Sequence, residues 1–155
     1  MDKPASAARE RMSDGEARKP AALMPVEANR LLQEEPQTLL VDVRSTMEYL
    51  MVGHPVGAVH IAWLDEPDWT PNPRFVAQLR ELMLGGSRCI DGNCPAVVLI
   101  CRSGRRSLEA GQALLDAGFA RIYYVEGGFE GPLDAHHRRS TLAGWRFEGL
   151  PWEQC

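Results

Sequence analysis

No stretch of this chain approaches the ~20 consecutive apolar residues needed to span a bilayer, so none of its 155 residues predicts a membrane helix. Basic residues are not in excess either. Seventeen Lys and Arg stand against 21 Asp and Glu, a formal net charge of -4. That excludes the general cationic footprint of a nucleic-acid-binding protein and leaves any anion binding to a local cluster of arginines. The first twenty residues lack the hydrophobic core of a secretory signal, and Asp2, Glu10, Asp14 and Glu16 speak against an acid-poor transit peptide. Residues 1–20 read as a disordered tail, too polar to offset the entropy of ordering. One domain, residues 21–155, follows, with a cytoplasmic location expected. Cysteine is scarce: Cys89, Cys94, Cys101 and Cys155. With no secretory signal, reduced thiols are expected rather than a disulfide framework. No internal repeat is visible. At 45% hydrophobic residues, the chain can fill one core.

What is present is an alternation of apolar runs and helical patterns. Pro25–Glu35 carries Ala28, Leu31 and Leu32 on one face, with Pro25 in its first turn and Pro36 beyond its end. Leu39–Val43 (LLVDV) is a buried-strand pattern interrupted by Asp42, and Ala58–Ala62 (AVHIA) is a second strand. Asn72-Pro73 predicts a helix start. Phe75, Val76, Leu79, Leu82 and Met83 continue it at helical spacing to Gly85-Gly86. Cys89–Pro95 reads as a polar loop. Ala96–Ile100 (AVVLI) is the strongest strand signal. The next helix has Leu108, Gly111 and Leu115 on one face and ends at Gly118, and Ile122–Val125 (IYYV) is another strand. A short strand near Ala21–Met24 makes a fifth. Strands alternating with helices imply an α/β fold with a parallel sheet and right-handed crossovers. In such sheets ligands sit beyond the carboxyl ends of the strands. Two segments fall there: Asp42-Val43-Arg44, and Cys101-Arg102-Ser103-Gly104-Arg105-Arg106.

Cys101 follows the strongest strand and precedes a glycine-containing loop and a helix. Amides of the loop and of the helix's first turn can converge on its sulfur, where the positive end of the helix dipole favours an anion. Three arginines lie within five residues of it. Positive charge and a helix N-terminus both lower a thiol's pKa, from about 8.5 to about 3.5–7.5. Cys101 is therefore expected to be a reactive nucleophile, against the alternative of a core cysteine capping a strand.

Four stretches carry a resemblance to a known family: VDVRSTMEYLMVGHPVGAVHIAW, VVLICRSGRRS, RIYYVEGGFEG and GWRFEGLPWEQ. In order and spacing the chain, from about Leu23 to Gln154, resembles the single-domain rhodanese, or thiosulfate sulfurtransferase, family. The resemblance implies a five-stranded parallel sheet flanked by helices on both faces, with the cysteine at the floor of a cradle. It also implies double displacement. Cys101 takes sulfane sulfur from thiosulfate or a low-molecular-weight persulfide, holds it as a persulfide, and passes it to cyanide, a thiol or a sulfur-carrier protein. No cofactor, metal, nucleic acid or membrane enters that chemistry. Arg102 and Arg106 are the leading candidates for donor binding, with Ser103, Gly104 and Arg105 completing the loop.

Around this loop, Asp42 and Arg44 can shape the rim of the site, with Arg44 binding substrate. Alternatively they form a salt bridge between loops, with Glu48 as a further partner. A buried Asp42 needs such a partner. His54 and His60 read as structural. The segment EGPLDAHHRRSTLAG, with His136 and His137, is an insertion before Trp145; it either borders the site and influences acceptor choice or is a solvated loop. Cys89 and Cys94 can pair, bind metal or relay sulfur, but inert thiols are expected.

Rival chemistries share the cradle. A phosphatase of this fold uses Cys-x5-Arg with a preceding His. Here the arginines stand four and five residues after Cys101, Ser107 is sixth, and Ile100 precedes. A non-catalytic rhodanese-like binding module lacks such an intact loop. Arsenate reduction by the same thiolate stays open.

Overall fold

Three strand runs are apolar on both sides, and both sides are covered. In the computed structural model, which describes residues 18–85 and 94–155, and the backbone alone at Leu84 and Gly85, the strands are β1 (Ala21–Leu23), β2 (Leu39–Asp42), β3 (His54–Pro55), β4 (Val59–His60), β5 (Val97–Ile100), β6 (Ile122–Val125) and β7 (Trp152–Glu153). The helices are α1 (Pro25–Glu34), α2 (Phe75–Gly85) and α3 (Arg105–Asp116). Five strands form one sheet in the order β1-β6-β5-β2-β4, every neighbouring pair parallel. The period of two then sorts the core. Val41, Val43, Val97, Leu99 and Ile122 face α2 and α3, meeting Phe75, Leu79, Ala110 and Leu114. Leu40, Val98, Ile100, Tyr123 and Val125 face the other way, toward Ala28 of α1, Phe129 and Trp145. Continuous apolar runs are what a sheet covered on both faces requires.

Several expectations are adjusted by packing. Ala58–Ala62 pairs over Val59–His60 alone. The backbone runs helically from Phe75 rather than Asn72-Pro73, with the Asn72 side chain accepting from the Arg74 amide at 2.9 Å. On α3 the buried stripe is Ser107, Ala110, Gly111 and Leu114, so Leu108, expected inward, is exposed. Small residues face the sheet because space is short: a Cβ on Gly111 would lie 2.6 Å from Pro20 and 3.2 Å from Ile122. Two features carry no signal in sequence. The chain makes one wide π-type turn at Glu48–Val52, and β3 pairs antiparallel with β7, bringing the final residues back beside His54. No helix among the described residues is long and apolar enough to cross a membrane.

Candidate active site

Register brings the two chemistry-bearing loops together. Asp42 lies beside Ile100 across β2 and β5, and the Val43 amide donates to the Ile100 carbonyl at 3.0 Å. Both chains therefore leave the sheet at the same edge, one into Arg44 and the other into Cys101. The Cys101 sulfur accepts hydrogen bonds from the amides of Gly104 (3.0 Å) and Ser107 (3.4 Å). Gly104 takes φ 122°, a conformation that L side chains rarely adopt, and this turns its N–H inward. Ser107 lies in the first turn of α3, whose free amides carry the positive end of the helix dipole. Cys101 is 1% exposed.

The glycine turn after β6 holds this cradle from below. The Phe129 amide donates to the Cys101 carbonyl at 2.8 Å, and Glu130 to that of Arg102 at 2.9 Å. Gly128 has φ 64°, and a Cβ there would sit 2.6 Å from the Arg102 carbonyl oxygen. Gly128 is thus a positioning residue that the sequence reading passed over. Its signal was present in the Gly127-Gly128 pair, whose partner the sequence does not name.

One arginine–carboxylate pair is the salt-bridge alternative expected for Asp42 and Arg44, and the other joins Glu48 to an unexpected partner. Arg44 has no exposed surface. Its Nε and Nη2 donate to Asp42 at 2.9 and 2.6 Å, Nη2 also donates to the Gly53 carbonyl at 2.5 Å, and the guanidinium lies over the Phe129 ring at 4.5 Å. Its place is beneath the loops rather than at a cavity wall, the structural of the two roles expected for it. Glu48 does not join that pair. It takes a two-pronged bond from Arg106, 2.7 and 3.0 Å, and bonds from the Ser45 hydroxyl and amide. Burial pushes the Glu48 carboxyl up, but Arg106 and Ser45 outweigh it and hold the pKa at about 2.

Arg106, Glu48 and Ser45 form part of a cavity of about 520 Å³, with Met47, Val52, Leu64, Trp69, Arg102 and Arg139 among its other walls. Cys101 is not on that wall, but its neighbour Arg102 is. Arg102 is exposed, and no hydrogen bond or ion pair engages its side chain among the described residues. Ser103 and Arg105 are exposed and do not line this cavity.

Outside the loop, Tyr49 stacks on both His54 (3.8 Å) and His60 (4.5 Å). His54 Nδ1 bonds the Tyr49 carbonyl, and His60 Nε2 bonds that of Arg44. The inserted loop is ordered by Asp134, which accepts from the His136 and Arg138 amides and the Thr141 hydroxyl. His136 and His137 are exposed. Cys94 is disulfide-bonded, where a reduced thiol was expected, whereas Cys101 and Cys155 are free. The expectation for Cys89 lies outside the described residues.

A cysteine at the carboxyl edge of a five-stranded parallel sheet, with loop and helix amides aimed at its sulfur, defines an anion-cradling α/β site. Comparison identifies its family. The rhodanese-like domain model matches residues 24–134, and the chain belongs to that family. A crystal structure from M. tuberculosis is 35% identical, covering 89% of this chain and all of that one, with TM-score 0.75. The polysulfide-sulfur transferase of Wolinella succinogenes is 27% identical over 97% of this chain and 85% of its own, with TM-score 0.54. The thiosulfate sulfurtransferase of Pseudomonas aeruginosa shares the fold at 20% identity and TM-score 0.60, over 87% of this chain and 20% of that one.

Proposed function

We propose that residues 21–155 act as a sulfurtransferase that carries sulfane sulfur on Cys101. The observation that carries this reading is the pair of amides, Gly104 and Ser107, pointing at one sulfur. Such fixed donors stabilise a thiolate or persulfide anion without covalent help. The 27% identity to a polysulfide-sulfur transferase supports the same class of chemistry.

In the first step the Cys101 thiolate attacks the outer sulfur of thiosulfate. The new S–S bond forms as the old one breaks, and its electron pair leaves with sulfite. Three negative charges enter, and three leave. In the second step an acceptor thiolate, or cyanide, attacks the outer sulfur of the persulfide, and Cys101 departs as thiolate. Arg102 supplies cationic attraction for the donor. Arg106 acts through Glu48, setting the loop's orientation rather than presenting a free fork. No cofactor or metal takes part.

The test is incubation with thiosulfate followed by intact mass and peptide mapping. One added sulfur on Cys101, discharged by cyanide as thiocyanate and absent in Cys101→Ser, is the expected result. A non-catalytic binding module is the second reading, favoured by the 1% exposure of Cys101, which packs with the apolar core on the α2–α3 face. No adduct with thiosulfate or a glutathione persulfide selects that reading.

A further inference from the structure

The cavity walled by Arg102 and Arg106 of the cysteine loop is far larger than thiosulfate needs. At about 520 Å³ it falls within the about 300–1,000 Å³ typical of sites for organic ligands. Its apolar wall, Met47, Val52, Leu64 and Trp69, suits carbon rather than an inorganic oxyanion. Its charges are unequally engaged. Glu48 is neutralised by Arg106 at 2.7 Å, and Glu130 lies 3.9 Å from Arg146. Glu66 is exposed at the cavity mouth and shares a hydrogen bond with Asp65, so solvent screens its field. Two cations remain on the wall without a carboxylate partner among the described residues: Arg102 of the cysteine loop and Arg139 of the inserted loop.

Arg139 is placed, not trailing. It is half-buried, and Nη1 donates to the Gly131 carbonyl at 2.7 Å, leaving the other face of the guanidinium uncommitted. Its neighbour Ser140 is fixed by the Glu130 carbonyl at 2.6 Å and by Arg146 at 3.0 Å. The loop is thereby tied to Glu130, whose own amide holds the Arg102 carbonyl. Arginine presents its donors as a planar fork matched to carboxylates.

From this arrangement we infer that the acceptor is a carboxylate-bearing organic thiol, and that Arg139, with Arg102, selects it. The inference rests on the sulfurtransferase reading and names the substrate class of that site. The acceptor thiol loses its proton to solvent, and its thiolate attacks the outer persulfide sulfur. The Cys101 S–S bond breaks, and the acceptor leaves as a persulfide carrying its carboxylate. Arg139 does not touch the reacting sulfur. It sets which thiol is held there.

The experiment discharges thiosulfate-loaded enzyme with 3-mercaptopropionate, 2-mercaptoethanol or cysteamine under single-turnover conditions, following persulfide loss by intact mass. Comparing each thiol between wild type and variant cancels its intrinsic reactivity. Arg139→Gln keeps an N–H for Gly131 but removes the charge. It is expected to slow discharge by 3-mercaptopropionate about tenfold, the scale of one charge-assisted hydrogen bond, while leaving 2-mercaptoethanol unchanged. Arg139→Lys restores part of the preference. An unchanged ratio of the two thiols in Arg139→Gln overturns this inference alone. Equal slowing of all three thiols marks a merely structural loop and also overturns it. Failure of wild type to load Cys101 removes the sulfurtransferase reading, and this inference with it.

Discussion

Two arginine–carboxylate pairs stand within a few residues of each other and do different things. Asp42–Arg44 is sealed, each side chain without exposure, and it ties β2 to Gly53 and the Phe129 ring. Glu48–Arg106 stands at a cavity wall with 20% and 16% of the side chains exposed. The chemistry of the two pairs is the same, but burial differs. In the first pair the loss of one partner strands a charge in the core. In the second, water can take over. The buried pair is scaffold, and the wall pair is an adjustable part of the cavity.

Removing one side of each pair tests that contrast most directly. Asp42→Ala leaves Arg44 buried and uncompensated, so a loss of about 3–5 kcal/mol is expected in denaturant unfolding. A loss below about 1 kcal/mol would erase the distinction. Gly128→Ala strikes the same scaffold from the other side, forcing a Cβ at positive φ against the Arg102 carbonyl. About 2–3 kcal/mol is expected, together with slower persulfide loading by thiosulfate.

Glu48→Gln costs less, about 1–2 kcal/mol at neutral pH once partial exposure is allowed for. Its sign with pH is fixed. The folded carboxyl sits at about 2 against an ordinary value of 4.5, so its contribution is fully present above about 4.5 and is lost as pH falls toward 2. The stability gap between wild type and Glu48→Gln should close over that interval in acid titration monitored by circular dichroism. A gap that widens there would refute the assignment. Smallest in stability is Arg102→Ala, expected within about 0.5 kcal/mol of wild type, because no partner is lost. Its effect should appear in loading by thiosulfate, about tenfold slower.

The three strands Leu39–Asp42, Val97–Ile100 and Ile122–Val125 were legible because a strand buried on both faces leaves an unbroken apolar run. The two-residue strands His54–Pro55 and Trp152–Glu153 were not, since a single pair of residues has no period and their partner lies a hundred residues away. The cysteine loop announced itself by local composition, with cysteine, glycine and cations in one turn. Partnerships across the chain did not. Nothing in the sequence near Glu48 says that its cation is Arg106 rather than Arg44. Gly128 declares a tight turn but not the backbone that it presses against. Leu108 had the right spacing for a core face, but α3 is turned so that Ser107, Ala110, Gly111 and Leu114 are the buried stripe.

The inserted loop closes on itself at a glycine pair. Gly131 leaves no room for a Cβ against the Ala143 carbonyl, and one on Gly144 would lie 2.8 Å from the Gly131 amide nitrogen. The span between is a loop clipped at its neck, with Arg139 and Ser140 pinned to Gly131 and Glu130. The exposed side chains of His136 and His137 are the ones that can change while the clip and the cysteine cradle keep their geometry. Under the proposed sulfur transfer, exchanging side chains of this loop would change which thiol is served while the cysteine cradle stays as it is.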